Sequence, residues 1–133
     1  MACFLVPAAE AVVTTVAAKI MEKKELASET SVNVEAEAQT KIPFTRKLKW
    51  LSNMLWGGSA LLAFEHLWHG EITPWFPFLT AASDPVTRGE MFHEMLTAGV
   101  SMAVLVTAVW VGIVAVTSAM EKREAKRLQA EAE

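Results

Sequence analysis

The sequence predicts an all-α protein, a small polytopic transmembrane helical bundle. It is built from three spans, or from two spans plus an interfacial N-terminal helix. Three observations predict this class. Hydrophobic residues make up 53% of the 133 residues, and they are gathered into long runs rather than dispersed. Eleven of the twelve Lys and Arg residues lie in three segments, 19–24, 41–49 and 122–127, and Arg88 alone lies in the loop. The five tryptophans stand mostly near the ends of the runs, where amphipathic rings favour the membrane interface.

Residues 1–27 form the first unit, an N-terminal apolar helix. Pro7 suits a first turn, where its missing N–H costs nothing. Helical spacing puts Leu5, Ala9, Val12, Val16 and Ile20 on one stripe. If this helix spans, Glu10 is an intramembrane acid, which costs at least about 2.5 kcal/mol unless it finds a partner. A helix lying in the interface avoids that cost. A signal peptide is a third reading, with Val16-Ala17-Ala18 as the cleavage site. Against it, the lysines follow the apolar run instead of preceding it.

Residues 28–42 are a polar linker of small and acidic residues with no apolar face. Residues 43–133 form the next unit, a transmembrane helical hairpin. Its basic lead-in, Pro43-Phe44-Thr45-Arg46-Lys47-Leu48-Lys49, fits an interface of anionic headgroups. The first strong span runs from Trp50 to Trp68, about 28 Å of helix, with Gly70 as its stop. Gly57, Gly58, Ser59 and Ala63 are small residues that let another helix approach closely. The loop 70–84 carries Pro74, Pro77, Trp75, Phe76 and Phe78, an aromatic anchor in irregular backbone. Asp84 and Pro85 are the cap and first residue of a new helix. Its apolar part, Met95 to Met120, is longer than a bilayer core and requires tilt. Gly99 with Ala103, and Ala108 with Gly112, are its small pairs. The tail 121–133 is charged helix in water.

Basic residues are retained on the cytoplasmic side. The C-terminus is therefore expected in the cytoplasm, and the loop 70–90 outside, in the plasma membrane. A net charge of −3 gives no reason to expect nucleic acid. The single cysteine, Cys3, excludes an internal disulfide framework and reads as a small apolar residue.

All three histidines fall near that loop. His66 and His69 are three apart and share a helix face. Glu90 and His93 form a Glu-x-x-His unit of the kind used in bundle di-iron sites, although the second unit such a site needs is absent. Three readings compete. In one, these are ordinary interfacial polar residues. In the second, His66, His69, His93, Glu65 and Glu90 bind a divalent metal, iron or zinc. In the third, histidines from two helices ligate a haem or line a quinone pocket.

Too little chain lies outside the membrane for a full enzyme site. The expected function is a membrane subunit that assembles with copies of itself or with larger proteins in the lipid bilayer. A haem- or quinone-binding anchor of an electron-transfer complex is the alternative. A transporter or pore component with Glu10 in its pathway is the third class.

Overall fold

A computed structural model describes residues 2–29 and 41–131. The polar linker expected over 28–42 lies mostly outside these described residues. The regular elements are helical: α1 (Leu5–Glu29), α2 (Phe44–Trp68), a 3₁₀ turn (Thr80–Ser83), α3 (Pro85–Glu94), a π turn (Met95–Gly99) and α4 (Val100–Glu131). The last three run on as one helix of 47 residues, so the described chain consists of three helices. Only this long helix combines the length and hydropathy needed to cross a membrane. Glu10 and Lys19 interrupt α1, and Ser52, Asn53, Glu65 and His66 interrupt α2.

The punctuation of the sequence acts as expected. Gly70 takes φ +72° just past the end of α2. Its N–H donates to the Leu67 carbonyl at 3.1 Å, and Glu71 N–H donates to the His66 carbonyl at 3.0 Å. Together these make a Schellman stop, which uses carbonyls the helix end would otherwise orphan. The Asp84 carboxylate accepts from Thr87 N–H at 3.3 Å, and Pro85 opens α3. One boundary differs. α2 starts at Phe44, with Pro43 in extended conformation before it, so the basic lead-in is the helix's own first turn and a half. Lys47 therefore points from a fixed helical position.

The helices run up, down and up. Contacts between Cys3 and His66, Thr15 and Ser52, and Thr45 and Glu25 make α1 antiparallel to α2. Contacts of Glu10 with Thr107 and of Gly99 with Cys3 make α4 parallel to α1. His66 and the loop after α2 thus lie at one end. The segments carrying Lys47, Lys49 and Glu121 lie at the other.

Packing is by small residues. Ala11 and Ala18 of α1 are buried against Leu48, Leu51 and Leu55 of α2, with Val106 and Trp110 of α4 beside them. The α1 stripe predicted from spacing faces outward. Leu5, Val12, Val16 and Ile20 are all exposed. The reason is steric: small side chains let helix backbones approach, so the bulky ones are left on the outside. Hydroxyls join the same seam. Thr15 Oγ1 lies 2.5 Å from Ser52 Oγ, and Trp56 Nε1–H donates to Thr15 Oγ1 at 3.1 Å.

The small residues named from the sequence divide into two groups. A Cβ on Gly99 would sit 2.8 Å from the Cys3 carbonyl oxygen and 2.9 Å from Val6 Cγ2. Glycine is what permits that helix crossing. Ser59 and Ala103 are buried and Ala63 is half-buried. Gly57, Gly58 and Gly112 face open space, with nothing within 4 Å of a Cβ. They play no part in packing within the described chain.

Candidate functional site

Polar chemistry collects at three levels. The first is the loop end, where His66 is buried beneath the N-terminus. His66 Nδ1 lies 2.7 Å from the Leu62 carbonyl one turn back, so that nitrogen carries the proton and donates. The other nitrogen, Nε2, is left for contacts across the bundle end. It faces Cys3 Sγ at 3.4 Å and the Glu71 carboxylate at 3.8 Å. Phe4 packs edge-on against the ring, with centroids 5.6 Å apart. Gly99 holds the Cys3 backbone in place by its close approach. Position within the sequence gives no sign that Cys3 and His66 meet, since 63 residues separate them.

The five predicted metal ligands do not converge. His66 is buried, whereas His69, His93, Glu65 and Glu90 are exposed. Among the described residues, no group of three His, Cys, Asp or Glu stands close enough to hold a metal ion. The geometry explains this. His69 is the C-cap of α2, still bonded through its N–H to the Glu65 carbonyl, but its side chain is exposed where that of His66 is buried. Glu65 is one residue from His66, about 100° around the helix. α3 buries Met91 against Ala2 and Ala81, which turns His93, about 200° away, to the outside.

The second level is Glu10. Thr107 Oγ1–H donates to Glu10 Oε1 at 2.7 Å. Beside this pair lies a groove of about 470 Å³, lined by Glu10, Val100, Ala103, Val104, Thr107, Ala108 and Val111. Glu10 was legible as an acid within an apolar run. Thr107 was not legible as its partner, because threonines in such runs usually bond their own helix, as Thr117 does here with Ile113.

The third level is the basic end. Lys47 Nζ, almost fully buried, lies 3.1 Å from both carboxylate oxygens of Glu121 and 3.1 Å from Ser118 Oγ. Ile42 N–H donates to Glu121 Oε1 at 3.2 Å, and Trp110 Nε1–H donates to the Lys47 carbonyl at 2.7 Å. The hydrogen bond from Lys47 holds the Glu121 carboxyl below its ordinary range, against a smaller opposing effect of burial. Thr45 Oγ1–H donates to Glu25 at 2.5 Å, and Lys49 meets Glu22 at 2.7 Å. All three helices are therefore tied together at this end.

Comparison with protein families, with curated proteins and with solved structures finds no match for this chain.

Proposed function

We propose that this protein is a small integral membrane subunit whose helices associate in the bilayer with other membrane helices. One observation carries the reading. Only 11% of the most apolar stretch of the long helix is buried. The core helix of a water-soluble protein would be mostly enclosed. Here Val104, Leu105, Val111 and Val116 face outward, as do Val12, Val16 and Ile20 of α1 and Leu61 and Phe64 of α2. On α1, bulky apolar side chains outside and alanines inside is the arrangement that lipid favours.

In this reading the Lys47 end faces the cytoplasm, because the basic segments near 19–24, 41–49 and 122–127 belong to it. The His66 end, with Trp75, Phe76 and Phe78 exposed on its loop, faces outward. The test is extraction with alkaline carbonate, followed by labelling with an impermeant thiol reagent in intact cells. The protein should stay in the pellet, and release into the supernatant overturns the membrane reading. In a Cys3→Ala background, which silences the native thiol, Ser83→Cys should label and Ala130→Cys should not. The reverse pattern overturns the orientation.

A further inference from the structure

The Glu10 level is left incomplete by the chain itself. A carboxylate has about four acceptor positions, and a single hydroxyl fills one of them. Among the described residues, no Lys, Arg or His forms an ion pair with Glu10. Its remaining acceptor capacity borders the groove of about 470 Å³, which is otherwise apolar except for Thr107. Ala103 at its floor is already buried within the chain, while Ala108 is exposed, and a side chain of this size lets another helix backbone come close. In lipid, an acid in such a place is stabilised by protonation or, where it stays ionised, by a cation.

A second copy in the same orientation cannot provide one. Lys19 is nine residues along α1 from Glu10, about 14 Å away in depth. Between Trp50 and Glu121 the only Lys or Arg is Arg88, which belongs to α3 at the loop end. The cation must come from a chain of different sequence.

We propose that the groove beside Glu10 receives a transmembrane helix of another protein, one that carries a single lysine or arginine at the depth of Glu10. This rests on the membrane reading above and names the chemistry of the partner. Thr107 positions the carboxylate, and Ala108 admits the incoming backbone. Either charge alone is costly at that depth, so the pair forms only when both helices are present, which makes charge the basis of partner choice.

The test uses the full chain, fluorescently labelled and reconstituted into phosphatidylcholine vesicles with synthetic Leu/Ala helices. One helix carries a lysine placed in turn at each central position, one has leucine throughout, and one carries glutamate. Energy transfer to the best lysine helix should indicate roughly tenfold or tighter association than to the leucine helix. The glutamate helix should bind no better than the leucine helix. Glu10→Gln, checked for native helix content by circular dichroism, should remove the preference, and Thr107→Val should reduce it. Equal transfer to lysine and leucine helices, or a preference that survives Glu10→Gln, overturns the proposal. Flotation separates the two levels of the argument. A protein that does not float with the vesicles defeats the membrane reading as well. One that floats and shows no lysine preference defeats this inference alone.

Discussion

The two ends of the bundle are held by different forces. At the Lys47 end, long side chains reach between helices: Lys47 to Glu121, Lys49 to Glu22 and Thr45 to Glu25. At the His66 end, contact is by backbone approach, with Gly99 against Cys3 and Val6 and a single imidazole beneath the N-terminus. Flexible charged side chains tolerate small shifts in register but depend on protonation. A backbone contact at 2.8 Å from a would-be Cβ tolerates no added atom and is indifferent to pH. The comparison teaches that one end is sensitive to charge and the other to volume. Buried charge explains the first: a lone Lys47 or Glu121 would be unpaired away from water.

The largest expected effect tests whether the ends are coupled. Leu55 lies between them and is fully buried. Leu55→Ala should lower stability by about 2 kcal/mol or more, measured by denaturing-detergent titration in mixed micelles. Amide exchange should rise at both ends together. A rise at one end only would mean that the ends are separate units joined by a passive helix.

Next comes volume. Gly99→Leu should cost about 1–3 kcal/mol in the isolated chain, since Cys3 and Val6 must move. Gly112→Leu should leave that stability unchanged, because the space beside Gly112 is open. Any loss it causes should appear only in assembly with other helices. Equal destabilisation by both substitutions would contradict the crossing at Gly99.

The smallest effect is that of charge at the Lys47 end. The folded Glu121 carboxyl has a lowered pKa, against an ordinary value of 4.5. Its contribution to stability is therefore complete above about 4.5 and is lost as pH falls through the lowered folded value. The part of the melting temperature in detergent that Glu121 supplies should be constant above that point and fall below it. Glu121→Gln, a near-isostere that keeps part of the hydrogen bonding, should remove this step. A pH step of equal size in Glu121→Gln would assign it to another carboxyl.

Particular residues show how far the sequence could be read. Gly70, Asp84 and Pro85 stop or start helices through local backbone chemistry, and they did so where expected. Glu10 was conspicuous because charge is rare in an apolar run. The outward stripe of α1 was recognisable as a stripe, but the side of the helix that it faces was not. Small residues form the buried face here, a choice made between helices rather than within one. The shared histidine site failed for the same kind of reason. Spacing on one helix says that His66 and His69 are neighbours, yet it cannot say that only His66 is covered by the N-terminal segment or which way α3 is rotated. The π turn at Met95–Gly99 has no periodic signature, and it lies where Gly99 meets Cys3.

By itself the sequence determined the helical class, the long apolar helix, the helix caps, and the segregation of basic residues from apolar runs. These depend on local propensity, on capping groups and on the distribution of charge along one chain. Only the tertiary structure decided that Cys3 lies against His66, that Thr107 answers Glu10, and that Lys47 reaches Glu121 across 74 residues. Those pairings depend on helix rotation and crossing distance. Both are set by where small residues allow backbones to meet, and neither can be read from any one helix alone.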